Sequence, residues 1–161
     1  MIPTDTGDEL AGVADLFGAV TRAELECALG ELAFKRGETV DDDAATDAVD
    51  AAVENYYLVA LEREGDEPPL LAPGPAAFPA LPEGAEDLPH ILDIPDREPD
   101  RESLVEAAER RLRADAAGAV DDGDAERIER LLDVSYDLET WGGVDVGDVR
   151  ARLDDAAANH N

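Results

Sequence analysis

Residues 21–61 read TRAELECALGELAFKRGETVDDDAATDAVDAAVENYYLVAL, and this run decides the fold. It opens on TRAE, a capping box in which the Thr21 hydroxyl caps the backbone while Glu24 reaches back, so a helix starts here and ends at Gly37. Leu25, Ala28, Leu29 and Leu32 form one stripe of that helix, and Ala23, Cys27, Gly30 and Phe34 form a second on nearly the opposite side. Two apolar stripes predict a central helix covered on both faces, with Glu31–Lys35 and Arg22–Glu26 as i to i+4 ion pairs between them. Asp41, Asp42 and Asp43 then favour a helix N-terminus by capping and by interaction with the helix dipole. Behind them Ala45, Val49, Ala52, Val53 and Tyr56 recur at helical spacing. At Tyr57 the period changes: YYLVALE is β-branched and aromatic, and EGDEPP separates it from the apolar run LLA, which predicts a short hairpin.

Working outward, a first helix is expected from about Glu9 to Ala19, with Leu10, Val13, Leu16, Phe17 and Val20 inward and Thr6 or Asp8 as N-cap. Pro68 to Pro99 holds nine of the ten prolines and excludes regular helix over most of its length. Its Phe78, Leu81, Leu88, Ile91, Leu92 and Ile94 are too apolar for a free linker, so it should be a connector packed on the helices. Beyond Asp100 a helix to about Ala117 carries Leu104, Val105, Ala108 and Leu112, and another from about Asp124 carries Ile128, Leu131, Leu132 and Leu138 until Gly142 and Gly143 stop it. Asp145 is placed to cap a last helix with Val146, Val149 and Leu153 on one face. The expected fold class is therefore mainly α with a small β-hairpin. It comprises an N-terminal winged-helix-like unit (8–75), a proline-rich connector (76–99) and a C-terminal three-helix unit (100–157).

The chain has 161 residues, with 41 acidic against 13 basic side chains and a formal net charge of −28; Lys35 is the one lysine. Self-repulsion opposes compaction at ordinary ionic strength, whereas at molar salt the Debye length is about 3 Å and most of it is screened. The composition thus predicts a salt-accumulating cytoplasm. The acids interleave with periodic Leu, Val and Ala positions, which argues for a folded chain over a disordered one. No run of about 18 apolar residues is present to span a bilayer, and MIPTDTGDEL lacks the basic and apolar parts of a secretion signal, so a cytoplasmic protein without membrane contact is expected.

Three helices followed by a hairpin, over Glu9 to Pro73, resemble the arrangement of a winged helix. The strings LFGAVTRAELECALGELAFKRGE, YYLVALE and LLAPGPAAFPALPEGAEDLPHIL are in addition similar to uncharacterised small acidic proteins of halophilic archaea. That resemblance implies the same salt-filled cytoplasm and carries no activity or functional residue with it.

Motifs for chemistry are sparse. A winged helix usually reads DNA with its third helix, but here that helix carries Asp47, Asp50 and Glu54, which a phosphate backbone repels. Arg110, Arg111 and Arg113, with Arg127 and Arg130, are the candidate phosphate or partner contacts, set against the helical pairs Glu106–Arg110, Glu109–Arg113 and Glu126–Arg130. The runs DDD and DDGD lack the ligand spacing of a calcium loop, and capping accounts for them. His90 and His160 do not form HExxH, Ser103 and Ser135 lack a GxSxG context, and no glycine-rich phosphate cradle occurs. Cys27, the one cysteine, reads as a packed thiol. No catalytic residue, cofactor or metal is expected. Cys27, Phe34, Tyr56, Tyr57 and Trp141 are the candidates for an apolar interface with a protein partner or a second copy. The function expected is a noncatalytic interaction or adaptor protein; the other reading is a transcription-associated regulator using the wing or the arginine-bearing C-terminal helices.

Overall fold

The computed structural model describes residues 7–35, 37, 42–82 and 84–159. Helices α1 (Gly7–Phe17), α2 (Arg22–Lys35) and α3 (Asp42–Glu54) are followed by strands β1 (Leu58–Leu61) and β2 (Leu70–Pro73). After a 3-10 turn at Ala85–Asp87 come the single turn α4 (Leu88–Ile91) and the helices α5 (Arg101–Asp122), α6 (Ala125–Gly142) and α7 (Gly147–Asn159). The fold is mainly α with one small antiparallel hairpin, as the sequence patterns predict. Two compact units divide the chain, Met1–Leu104 and Val105–Asn161.

In the first unit, Leu10, Val13 and Phe17 of α1 meet Leu25, Leu29 and Leu32 of α2 and Val49 of α3 in one buried core. Each such side chain contributes about 1.5–3 kcal/mol through removal from water. The hairpin pairs Leu58 with Pro73 and Leu61 with Leu70. Val20, between α1 and α2, adds a bridge to Leu71, its N–H donating to the Leu71 carbonyl at 3.0 Å and its carbonyl accepting in return at 2.6 Å. The hairpin is thereby tied to the junction of the first two helices.

The proline-rich segment wraps this unit as a strap. The Ala76 N–H donates to the Tyr56 carbonyl at 3.0 Å, Phe78 N–H to Asp8 Oδ1 at 2.9 Å and Ala80 N–H to the Asp8 carbonyl at 3.0 Å. Lys35 Nζ donates to the Gly84 carbonyl at 3.2 Å, and Arg97 N–H to the Phe17 carbonyl at 2.7 Å. The strap lies so close that a β-carbon on Gly12 would overlap the Ala80 carbonyl, and one on Gly18 would overlap that of Arg97. Gly18 also has φ +85°, which ends α1 earlier than the apolar pattern predicts. Of the apolar residues expected to pin the strap, Leu88 is buried and Leu92 and Ile94 are half-buried, whereas Phe78, Leu81 and Ile91 face outward.

Several local expectations are corrected. The second stripe of α2 is not covered: Ala23, Cys27 and Gly30 are exposed and Phe34 is 77% exposed, so α2 buries one face only. Arg22 pairs with Asp50 of α3 at 2.7 Å rather than with Glu26, and Lys35 turns to Asp87 of the strap at 3.4 Å rather than to Glu31. Tyr56 and Tyr57 precede the strand instead of opening it. Tyr56 has φ +66°, and the N–H groups of Tyr57 and Tyr56 close onto the carbonyls of Ala52 at 2.9 Å and Val53 at 3.2 Å. This is a Schellman ending built on a tyrosine, and burial of the Tyr56 ring offsets the left-handed backbone. Thr6, Asp41 and His160 lie outside the described residues.

The second unit packs Val105, Ala108 and Leu112 of α5, Ile128, Leu131 and Leu138 of α6, and Val149 and Leu153 of α7 as buried positions. Helix α5 runs past the expected stop at Ala117 because Ala116 and Ala119 are themselves buried, and it ends in a second Schellman closure, Asp124 N–H to the Ala119 carbonyl at 3.1 Å. Asp124 caps α6 by accepting from the Arg127 N–H at 3.2 Å, and Gly143 ends it with φ +67°. Asp145 accepts from the Gly147 N–H at 2.9 Å at the start of α7.

Candidate protein-docking cleft

A cleft of about 450 Å³ opens in the first unit beside the N-terminus of α2. Thr21, Arg22, Ala23 and Glu26 form one wall, Val53 of α3 and Ala60 of β1 lie opposite, and Pro68, Pro69 and Leu71 close it from the hairpin. Its surface is mostly apolar, with Ala23, Val53, Ala60, Pro68, Pro69 and Leu71 among the lining residues.

The polar groups around it are engaged inside the unit. The capping box forms as predicted, with Thr21 N–H donating to Glu24 Oε1 at 2.9 Å and Glu24 N–H to Thr21 Oγ1 at 3.1 Å. Glu24 also receives Arg97 of the strap, Nη1 at 2.6 Å and Nη2 at 3.2 Å, and the same Nη1 donates to the Ala19 carbonyl at 3.0 Å. Arg97 holds the Glu24 carboxyl below its ordinary range against the opposing effect of burial, and the guanidinium is raised in turn. Arg22 Nη2 is bound to Asp50 and Thr46 Oγ1 donates to Glu26 Oε1 at 2.8 Å. Arg22 Nη1 is buried without a hydrogen-bond partner.

The residues singled out as an apolar interface do not converge. Cys27 and Phe34 are exposed on the outer face of α2, and the packed-thiol reading of Cys27 is corrected accordingly. Tyr56 is 1% exposed and belongs to the core, so it offers no surface. Tyr57 is half-buried against that core, its ring lying where a β-carbon on Gly7 would stand. Trp141, in the second unit, is half-buried near the end of α6.

The candidate phosphate contacts are largely occupied by carboxylates. Arg113 is held by Glu109 at 3.1 Å, the predicted helical pair, and by Asp148 of α7 at 2.8 Å. Asp115 receives both Arg111 at 3.4 Å and Arg127 at 3.1 Å. Arg110 and Arg130 are exposed, and Arg130 lines an open concavity of about 670 Å³ together with Glu126, Glu129, Asp133 and Asp154, an acidic setting. Arg150, not singled out from sequence, ties α6 to α7. It pairs with Glu139, donates from Nε to Ser135 Oγ at 3.1 Å and stacks 3.9 Å above the Tyr136 ring. The Val146 N–H and then Arg150 hold the Glu139 carboxyl below its ordinary range.

On α3 the exposed residues include Asp47, Asp50 and Glu54. At the hairpin tip Glu62, Glu64, Asp66 and Glu67 are exposed, and Arg63 is turned inward onto the Pro68 carbonyl at 2.9 Å and Glu67 at 3.2 Å. Among the described residues no three His, Cys, Asp or Glu side chains are arranged to hold a metal ion, and no helix is long and apolar enough to cross a membrane.

Residues 8–158 match the model of a family of unknown function, DUF7109. The chain belongs to that family. No curated protein and no solved structure matches it. The match covers most of both units.

The cleft residues Val53, Ala60, Pro69 and Leu71 were readable only as core or hairpin positions, since a cleft is made by elements meeting. Arg97 was also missed; its signal was a lone arginine among the acids and prolines of the strap, DIPDREPD.

Proposed function

We propose that this protein is a noncatalytic adaptor of a salt-adapted cytoplasm, in which a winged-helix-like first unit docks another protein through the cleft beside α2. The observation that carries this reading is the pairing of apolar cleft walls with a rim whose polar groups are mostly engaged internally. Such a surface gains by covering apolar area, while a reacting substrate needs convergent unengaged polar groups. The winged-helix likeness draws support from the order α1, α2, α3, β1, β2 and from the Val20–Leu71 bridge, which gives the hairpin a third, one-residue strand. The acidity, the arginine preference and the resemblance to proteins of halophilic archaea support the salt-filled setting.

A transcription-associated regulator takes support from the same topology, but the acidic faces of α3 and of the hairpin tip oppose a DNA contact there. Affinity purification from the native lysate in molar KCl, after mild crosslinking, tests the choice. A protein captured by the wild type and lost with Ala23→Phe supports the adaptor; specific DNA in the eluate overturns it.

A further inference from the structure

We propose that the cleft receives an apolar side chain of a partner polypeptide that carries arginine or lysine beside it; this rests on the docking reading above and adds the chemistry of the occupant. The apolar part follows from the walls, where Val53 and Ala60 are half-buried and Leu71 is buried. About 450 Å³ falls in the range of pockets that enclose small ligands. It accommodates a leucine or phenylalanine side chain with some of its adjoining backbone.

The basic part follows from the rim. Arg22 is the one cation among the lining residues, and its Nη2 is held by Asp50 at 2.7 Å. Glu26 lines the same wall and accepts from a neutral hydroxyl, Thr46 Oγ1. Asp50 thus balances the one guanidinium, and Glu26 adds a lining carboxylate whose partner is a hydroxyl rather than a cation. The rim carries excess negative charge that an incoming arginine or lysine complements, and an acidic segment is repelled. In molar salt the Debye length of about 3 Å confines this selection to direct contacts, so charge at the rim, rather than the net charge of the molecule, sets the preference.

The test uses the full chain, methyl-labelled, in molar KCl, titrated with three synthetic peptides: one with a central leucine between arginines, its glutamate-flanked counterpart, and the arginine-flanked peptide with serine for leucine. The arginine–leucine peptide is expected to shift the methyls of Val53, Ala60 and Leu71 and to bind about tenfold more tightly than the glutamate-flanked one, the size of one or two part-exposed ion pairs. The serine peptide should bind too weakly to saturate. Ala23→Phe, on an exposed helical position that leaves the fold intact by circular dichroism, should remove binding, and Glu26→Lys should erase the preference between flanks. Equal binding of both leucine peptides at these methyls would overturn the charge selection and leave docking standing. Absence of shifts with every peptide, or shifts of the same methyls with protein concentration alone, would overturn the cleft as a partner site, the latter by seating a second copy there.

Discussion

Glu24 joins two parts of the first unit: through Thr21 it starts α2, and through Arg97 it holds the far end of the strap. Both partners favour the ionised carboxylate, so its folded pKa lies below the unfolded value. The sign follows: the contribution to stability is full above the ordinary carboxylate range and is lost as pH falls through the folded pKa. In acid denaturation, Glu24→Gln should show less loss of stability than the wild type across that window, measured as the difference between their urea midpoints. Arg97→Ala removes hydrogen bonds to a charged group in a part-buried place and should cost about 1–2 kcal/mol in urea unfolding. The amides of the strap, among them Leu92, should exchange faster in the same variant because Leu88 remains the main buried anchor of 86–100.

Among the elements, the second unit shows how caps and packing share the work. Helix α6 begins on Asp124, whose carboxylate accepts from Arg127 N–H, and Asp124→Ala should lower stability by about 1 kcal/mol in thermal or chemical unfolding. Helix α5 contains Gly118 in its interior, and a β-carbon there would meet nothing within 4 Å. Gly118→Ala should raise stability by about 0.5–1 kcal/mol, read from the same measurement, since it reduces the freedom of the unfolded chain without a clash. The sequence pattern ends α5 at about Ala117; the burial of Ala116 and Ala119, on either side of Gly118, carries the helix past a residue that disfavours it. Helix α2 shows the reverse. Its outer stripe Ala23, Cys27, Gly30 and Phe34 has the spacing of a buried face and is exposed, because periodicity reports that a face is apolar and not what covers it.

Across the whole molecule the charge of −28 is the dominant quantity. With the Debye length near 3 Å in molar salt and about 30 Å at 0.01 M, lowering the salt exposes each carboxylate to the repulsion of many others. Dialysis from molar KCl to millimolar salt should therefore reduce helicity in circular dichroism; unchanged ellipticity and melting temperature would sink the salt-adaptation mechanism. The pairs of Arg113, Arg127 and Arg150 hold helices of the second unit together rather than offsetting the acidic surface.

The order of helices, the capping box at Thr21, the hairpin after α3 and the stop at Gly143 could be read from the chain because each depends on residues within a few positions of one another. The sequence separations of 73 between Arg97 and Glu24 and of 52 between Lys35 and Asp87 mark what could not. Local spacing offered Lys35 a partner in Glu31, and the strap, arriving from far along the chain, supplied another. The cleft belongs to the same class: Ala23, Val53, Ala60 and Leu71 are unremarkable in their own segments, and only the tertiary packing of α2, α3 and the hairpin brings them around one space. Contacts over long separations follow from which apolar faces cover which, and that is a property of the packed unit rather than of any local pattern.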